Sequence, residues 1–323
     1  MRNKPLLICL LFFFCASAWP QATISNYKVF LATVSSETKN LLIIRKFEQY
    51  GKTNYLTVDL NTMDTQILRA DKLITTTISW QKLYSDYANT PYIKALTYAK
   101  KQSFALQDAG IIHGWPVEKG INLTVDLCPS HKPLDRTIFT SLISEFGKIE
   151  KPVPIALSIT GRFMLDHTND MEWLSSLEAK GDIDITWINH TYNHYYEPKM
   201  PLTENFLLKP GTNIDFEVLQ TEIALLERQL LPSVFFRFPG LVSDNSVSSN
   251  IINYGLIPIG SDAWLAKGQK ANAGSIVLIH GNGNEPVGVN DFIKLLQSEK
   301  QKVLDKQWLL YDLKESISEE FKE

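Results

Sequence analysis

Cysteine and net charge are both scarce in this sequence. The 323 residues include three cysteines, Cys9, Cys15 and Cys128, and the first two lie within the amino-terminal fifteen residues. If that terminus is removed, Cys128 has no intramolecular partner, which excludes a disulfide-stabilised fold and a metal site made of several thiolates. Lys and Arg total 32 against 35 Asp and Glu, a formal net charge of -3. This balance gives no reason to expect a nucleic-acid partner.

A hydrophobic run long enough to span a membrane is also lacking. At the amino terminus, Arg2 and Lys4 precede an apolar run that ends in the small-residue sequence ASA. The run is shorter than the roughly 20 residues that a spanning helix needs, so a membrane anchor is the weaker interpretation, as is a lipid anchor on Cys15. The pattern predicts a signal peptide over residues 1–18, cleaved before Trp19, and export to the periplasm or out of the cell. The mature chain would then have no transmembrane segment.

The rest of the composition is that of a folded protein. It is 44% hydrophobic and 21% charged, which suffices for one large domain or for a large domain with a smaller partner. Between residues 26 and 73, the runs KVFLATV, NLLIIRKF and NYLTVDL are separated by polar turn residues, which predicts antiparallel β-structure. A helix is predicted around residues 92–110. Residues 19–115 are therefore interpreted as a β-rich segment with a connecting helix.

From residue 116 to residue 323, short apolar runs alternate with amphipathic stretches of helical periodicity. This alternation predicts the α/β class with a parallel sheet, and seven repeats favour a distorted (β/α)7 barrel. The alternative, an open doubly wound sheet, lacks a Gly-rich phosphate loop after the first strand. The predicted strands are residues 122–127, 153–160, 182–189, 233–240, 255–262, 274–281 and 307–313.

Polar residues occur at or just after the ends of several predicted strands. In such a barrel the carboxyl ends of the strands lie on one rim, where catalytic groups gather, so these residues are predicted to form one site. The two histidines of NHTYNH are four residues apart, and on a helical turn both imidazoles would face a single cation. The residues concerned are Asp126, His190, His194, Arg237, Asp262 and His280.

Five short motifs resemble those of the polysaccharide deacetylases, carbohydrate esterase family four, which have the NodB-homology barrel. The resemblance extends from about residue 121 to the carboxyl-terminal end. Its most specific part is NHTYNH, which is similar to the histidine pair of the family. The other four motifs follow the order of the family and are TVDLCPS (124–130), RFPG (237–240), SDAW (261–264) and LIH (278–280).

The resemblance implies a metal-dependent deacetylase in which His190 and His194 bind a divalent cation, zinc being the first candidate. The cation would polarise the carbonyl of an N-acetyl group and lower the pKa of a water molecule. Asp126 would act as the base, His280 would protonate the leaving amine, and Arg237 would keep Asp126 ionised.

The resemblance also implies supporting and substrate-binding residues. Asp262 would pair with Arg237 or tune His280. Trp264 and Leu278 would line a pocket for the acetyl methyl group, or else are simply core residues. Apart from the resemblance, aromatic residues near the rim, notably Tyr192, Tyr195 and Tyr196, either stack on sugar rings or pack in a loop. The residues predicted to contact substrate are Pro239, Gly240, Trp264, Leu278 and Tyr192.

Two positions of the first motif depart from the pattern of the family. Leu127 stands where a second, metal-binding aspartate usually follows the base, and Cys128 replaces a glycine. Three arrangements remain open: Asp126 joins His190 and His194 as a ligand, or Asp126 stays the base while the histidines and waters hold the metal, or the metal has been lost. A lone buried thiol usually packs as a small hydrophobic group, so Cys128 is not expected to be a ligand.

The sequence thus predicts an exported deacetylase that hydrolyses N-acetyl groups of a glycan such as peptidoglycan, a chitin-like oligomer or an exported polysaccharide. The alternative is a catalytically silent glycan-binding barrel that has lost its metal. The amino-terminal segment either packs against the barrel or binds glycan or a partner protein. Packing is the stronger prediction, because short β segments without exposed aromatic clusters more often pack than bind.

Overall fold

Two sheets organise the chain, one antiparallel and one parallel. The computed structural model describes residues 23–35, 39–103, 105–117, 119–319 and 321. The predicted signal peptide, residues 1–18, lies outside this range. Within the described part of the chain, no helix combines the length and the apolar character needed to cross a membrane.

The amino-terminal sheet is antiparallel, as predicted, and its strands follow the order β4-β3-β2-β1-β5. A tight turn joins the second and third strands, where both Tyr50 and Gly51 have positive φ, at 52° and 67°. This conformation matches the right-handed twist of a hairpin. The strands are β1 Ile24–Val34, β2 Leu41–Gln49, β3 Lys52–Asp59, β4 Thr65–Arg69 and β5 Thr75–Thr77.

Two helices, α1 Trp80–Asp86 and α2 Pro91–Lys101, connect this sheet to the rest of the chain. The helix predicted over residues 92–110 therefore ends at Lys101. Beyond Lys101, the backbone forms isolated β-bridges with the barrel. They pair Gln107 with Val242, Ile111 with Ile259, and His113 with Ser275. These contacts with the barrel replace helical hydrogen bonds in this stretch.

The parallel sheet confirms the predicted barrel. Its strands follow the order β10-β9-β8-β7-β6-β12-β11, and β13 pairs with the first residues of β6. Within the predicted fifth strand, residues 255–262, only β10 forms, and it pairs with β9; β11 begins just beyond this range and pairs with β12. The two edges of the sheet are thus only four residues apart along the chain, which curls the sheet into a barrel. The strands are β6 Gly120–Leu127, β7 Val153–Ile159, β8 Ile183–Asn189, β9 Pro232–Phe236, β10 Ile257–Pro258, β11 Ala263–Trp264, β12 Ile276–His280 and β13 Leu309–Leu310.

Helices follow most of the barrel strands, and side chains alternate between the two faces of each strand. On β6, Val125 and Leu127 belong to one hydrophobic cluster with Ile138 and Phe139 of α3. Residues at even positions of β6 therefore point to the opposite, inner face. The helices are α3 Arg136–Phe146, α4 Gly161–Asp166, α5 Thr168–Ala179, α6 Ile214–Leu226, α7 Asn245–Asn253, α8 Pro286–Leu304 and α9 Leu313–Glu319.

The amino-terminal sheet and the barrel share a hydrophobic core. Leu42 and Phe47 of β2 lie in the same cluster of buried residues as Ile188 and Phe235 of the barrel. Packing of the amino-terminal segment against the barrel, the stronger of the two predictions, agrees with this arrangement. The division of the chain at residue 115 stays a prediction.

Candidate functional site

Two polar side chains lie on the inner side of the barrel at the end of β6: Asp126 within the strand and Cys128 directly after it. Both are almost completely buried, with 3% and 4% of their surfaces exposed. Leu127, between them, points outward into the hydrophobic core beside α3. A carboxylate and a thiol therefore stand next to each other at the carboxyl end of the strand. The expectation that Cys128 merely packs as a small hydrophobic group is wrong, because its Sγ lies 3.6 Å from Nε2 of His190.

His190 follows the last residue of β8, and its two ring nitrogens have different roles. Nδ1 lies 2.8 Å from the backbone oxygen of Arg237. Since a carbonyl oxygen only accepts, Nδ1 donates this hydrogen bond, and Nε2 faces the barrel interior. Nε2 lies 3.8 Å from Oδ2 of Asp126 as well as near the thiol of Cys128. This nitrogen is oriented as a metal-binding imidazole nitrogen would be.

The ring of His194 lies beside that of His190, with 4.9 Å between the two ring centroids. The backbone between the two histidines is not helical, so the expected helical turn is wrong. Residues 190–194 form a loop in which Thr191 and His194 have positive φ, at 70° and 49°. The two imidazoles thus converge through a left-handed loop rather than through the spacing of a helix.

Glu217 of α6 fixes this loop. Its carboxylate accepts hydrogen bonds from the backbone N–H groups of Tyr192 and Asn193, at 3.0 and 2.8 Å, and from Nδ2 of Asn193 at 2.7 Å. Asn189 adds a further bond, from the N–H of Thr191 to its Oδ1. The loop amides that neither a strand nor a helix satisfies are therefore bound by buried side chains.

Arg237, just after β9, is fully buried. Nη2 donates to Oγ1 of Thr124 at 3.0 Å, and Nη1 lies 3.7 Å from Oδ1 of Asp126. The predicted pairing of Arg237 with Asp126 is thus present as an ion pair at a distance longer than a hydrogen bond. The guanidinium supplies the positive charge next to the carboxylate.

His280 is the last residue of β12 and points into the same cluster. Its Nδ1 lies 2.8 Å from Oε2 of Glu285, which also accepts a hydrogen bond from Nε1 of Trp264 at 2.8 Å. The carboxylate that orients His280 is therefore Glu285, at the start of α8.

Asp262 is not part of this cluster, so its expected pairing with Arg237 or His280 is wrong. Oδ1 of Asp262 accepts the N–H of Ile276, and Oδ2 lies 2.6 Å from Nδ1 of His113. Ile276 begins β12 and His280 ends it, which separates the two positions by about 13 Å along the strand. Asp262 thus lies beside the amino-terminal end of β12, away from the rim.

The predicted substrate-binding residues differ in their placement. Trp264 and Leu278 form a hydrophobic cluster with Leu241, and the indole ring is 5.8 Å from that of His280. These two residues border the site. Tyr192 packs instead over Gly161, where no side chain would fit, and against Phe216. The half-buried ring thus supports the loop, and its stacking on a sugar stays a prediction.

A cavity of about 530 Å³ opens beside His194. Pro239 lines it, and Gly240, with φ of 60°, allows the ring of Phe206 to approach its backbone closely. Lys209 also lines this cavity and places Nζ 3.5 Å from the ring centroid of Tyr195. The cavity is next to the histidine pair and is large enough to admit part of a ligand.

The surroundings shift the pKa values of several groups in the cluster. Burial would raise the pKa of Asp126, but the neighbouring Arg237, His190 and His280 hold it below its usual range. Burial would lower the pKa of His280, but Cys128 and Glu285 raise it well above its usual range. For Cys128, burial opposes ionisation, and the three neighbouring histidines lower its pKa well below the ordinary value. The site thus favours an ionised carboxylate, a protonated His280 and a thiolate.

The residues present fit a divalent transition metal. Among the described residues, one group of His, Cys, Asp or Glu ligand atoms lies with all members within 4.8 Å of one another, and it comprises Cys128, His190 and His194. Nε2 of His194 and Oδ1 of Asp126 are buried and lack a hydrogen-bond partner in the same part of the chain. Imidazole and thiolate are donors that suit zinc, and unsatisfied buried polar atoms are costly unless a ligand contacts them.

The fold and the cluster together define an α/β barrel with a polar site at the carboxyl ends of its strands. No protein-family model matches the chain. Solved structures of similar fold include family 4 carbohydrate esterases. One, from Bacillus anthracis, is 15% identical, with a TM-score of 0.47 over 68% of this chain and 90% of that chain. Another, Bacillus subtilis PdaA, is 16% identical, with a TM-score of 0.47 over 68% and 95%.

A pseudoenzyme of the same family from Bacillus anthracis is also similar. It is 12% identical, with a TM-score of 0.44 over 92% of this chain and 90% of that chain. The neighbours thus belong to the family that the five motifs resemble. Similarity at this level assigns neither an activity nor a substrate to the chain.

Three residues of the site were not predicted from the sequence. Cys128 could have been found from strand alternation, because it shares the inner face of β6 with Asp126. Glu285 and Glu217 had no comparable signal in the sequence. Glu285 lies just before α8 and contacts His280, whereas Glu217 lies in the first turn of α6 and binds the loop that carries His194.

Proposed function

We propose that the protein is an exported, metal-dependent deacetylase that hydrolyses N-acetyl groups of a glycan. The observation that carries the proposal is the convergence of Asp126 and His280 on the histidine pair, beside an open cavity. A carboxylate base whose pKa is lowered and an imidazole acid whose pKa is raised are the two groups that amide hydrolysis needs.

The proposed mechanism gives separate roles to the residues that hold the metal, the base and the acid. His190 and His194 would hold a divalent cation, zinc being the best match to the donors, and the bound cation would polarise the acetyl carbonyl and lower the pKa of a water. Asp126 accepts a proton from the attacking water, and Arg237 keeps that carboxylate ionised. His280, oriented by Glu285, donates a proton to the amine nitrogen as the C–N bond breaks. The products are acetate and a free amine on the glycan.

The substrate and the export route are parts of the same proposal. The amino-terminal pattern supports export to the periplasm or the medium, where N-acetylated glycans such as peptidoglycan, chitin-like oligomers or exported polysaccharides occur. Amino-terminal sequencing of the exported protein tests cleavage before Trp19.

Release of acetate is the direct test. Zinc-loaded protein is incubated with a panel of N-acetylated glycans, and acetate is measured with time. Asp126→Asn is expected to lower the rate by about 100-fold or more, because loss of a general base costs about 10²- to 10⁴-fold. The matched control is Asp291→Asn, the same chemical change in a surface ion pair of α8.

Two results would contradict the proposal. Full activity of Asp126→Asn would remove the base from the mechanism. Absence of acetate from every glycan, together with retained glycan binding, would establish the silent barrel instead. That second candidate is favoured by one observation, Leu127 at the position of the expected metal-binding aspartate.

A further inference from the structure

The position of Cys128 bears on which atoms hold the metal. Three ligand atoms converge within 4.8 Å of one another, and they belong to Cys128, His190 and His194. Asp126 does not belong to this set, although it was the carboxylate expected to join the histidines. The inner face of β6 therefore offers the cation a sulfur atom where a carboxylate was predicted.

The distances distinguish the two candidates. With bonds of about 2.3 Å to sulfur and about 2.05 Å to nitrogen, a tetrahedral zinc ion separates the two ligand atoms by about 3.6 Å. Sγ of Cys128 lies 3.6 Å from Nε2 of His190, which matches. For a carboxylate oxygen the corresponding separation is about 3.4 Å, whereas Oδ2 of Asp126 lies 3.8 Å from the same nitrogen.

Cys128 is buried beside the two histidines. The residue is 4% exposed, and its Sγ lies within 4.8 Å of ligand nitrogens of both His190 and His194. A cysteine binds a metal through its deprotonated sulfur. In contrast, Leu127 offers no donor and lies in the hydrophobic core outside the barrel.

We infer that Cys128, His190 and His194 form a Cys-His-His site for a divalent transition metal, in which Cys128 replaces the carboxylate ligand. The inference deepens the proposed function, on which it rests for the identity of the site. Three protein ligands leave a fourth position open, which is the arrangement of catalytic rather than structural zinc sites. On binding, the thiol proton leaves to solvent and one negative charge stays in the ligand set. Asp126 is thereby left free to act as the base.

Cobalt substitution tests this assignment without relying on activity. The chain beginning at Trp19 contains one cysteine, so a thiolate-to-cobalt charge-transfer band in the near ultraviolet can come only from Cys128. The protein is treated with chelator, loaded with one equivalent of Co²⁺ and scanned. We expect the band in the unmodified chain, and its absence there overturns the inference without any variant being needed.

Two variants of neighbouring residues on β6 provide the matched comparison. Cys128→Ser is expected to lose the band and to weaken zinc binding by more than about 100-fold, since residues that merely support a ligand are worth about 10- to 100-fold. Asp126→Asn is expected to keep the band and to change zinc affinity by less than about tenfold. Circular dichroism checks that both variants are folded. The opposite pattern, with metal lost in Asp126→Asn and kept in Cys128→Ser, would assign the site to the carboxylate.

The cobalt experiment tests the ligand assignment separately from the proposed deacetylase activity. A charge-transfer band without acetate release on any glycan leaves the Cys-His-His site in place and removes the deacetylase. Acetate release by a zinc-loaded protein that shows no band in its cobalt form leaves the deacetylase and removes Cys128 from the ligand set.

Discussion

Glu217 illustrates how one side chain sets the geometry of the histidine pair. The loop that carries His194 includes two non-glycine residues with positive φ, one of them the β-branched Thr191. Such conformations cost about 1–3 kcal/mol each and persist only where the surroundings impose them. Here the three hydrogen bonds to Glu217 impose them. The position of His194, a proposed metal ligand, thus depends on a carboxylate that is not among the proposed ligands.

Replacing Glu217 should therefore weaken metal binding without removing a ligand. In Glu217→Gln, one acceptor oxygen becomes an NH₂ group that faces N–H donors of the loop. We expect zinc affinity to fall by roughly 10- to 100-fold, as for other residues that orient ligands. Calorimetric titration measures the affinity, and Glu204→Gln, at an exposed position, is the control. Unchanged affinity in Glu217→Gln would show that the loop holds its shape without this carboxylate.

Single residues also show which parts of the site the sequence can predict and which it cannot. Asp126, His190, His194 and His280 were found because strand ends meet on one rim, and the alternation of β6 would have added Cys128. Glu285 was not found, because nothing in the local pattern relates a residue before a helix to a histidine five residues earlier. Side-chain pairing of this kind is decided by tertiary packing, which sequence spacing does not encode.

At the scale of elements, the misplacement of Asp262 has a specific cause. The sequence GLIPIGSD was interpreted as one strand ending at the rim, but only Ile257 and Pro258 of it form a strand, β10. The next strand, β11, begins just beyond it at Ala263, beside the first half of β12. The apolar run looks the same in either case. How the residues after β10 pair with their neighbours depends on how the barrel closes. Only the assembled sheet therefore determines which of these residues reach the rim.

Helix α5 carries an acidic group with a shifted pKa. Glu178 lies in the last turn of the helix, where the carbonyl ends of the helix disfavour a negative charge. Burial, and to a lesser degree the charge of Asp184, raises its pKa from 4.5 to about 7. Between pH 4.5 and about 7, Glu178 thus keeps its proton in the folded state and has lost it in the unfolded state.

Stability should therefore decline as pH rises across this window. The contribution of the protonated Glu178 is complete below pH 4.5 and is lost as pH passes through about 7. We expect Glu178→Gln to be more stable than the parent by about 1–3 kcal/mol at pH 8 and nearly equal to it at pH 5. Urea unfolding at both pH values measures this, with exposed Glu172→Gln on the same helix as the control. A difference independent of pH would contradict the shifted pKa.

At the scale of the whole molecule, one buried ion pair joins the amino-terminal sheet to the barrel. Arg45 of β2 and Glu222 of α6 are 0% and 1% exposed, and the guanidinium donates twice, at 2.7 and 2.8 Å. Arg45 also donates to the backbone oxygen of Tyr254, and Tyr27 donates to Glu222. Every charged atom of the pair has a partner.

Breaking this pair should destabilise the whole chain rather than the sheet alone. Arg45→Met leaves the carboxylate of Glu222 buried without its countercharge, which costs about 3–5 kcal/mol. We expect one cooperative denaturant transition, shifted to lower concentration, when tryptophan fluorescence and far-ultraviolet dichroism are compared. The double variant Arg45→Met, Glu222→Gln should recover much of the loss. Two separate transitions would show that the sheet and the barrel unfold independently.

The Arg45 ion pair also sets an order of events during synthesis. Its two residues are 177 positions apart in the chain, so the arginine is made long before its carboxylate exists. Until α6 has been synthesised and the barrel has begun to curl, the inner face of β2 has neither its countercharge nor its apolar neighbours. Contacts of such long range form slowly. Strand β2, although made early, is therefore among the last parts of the described chain to reach its final surroundings.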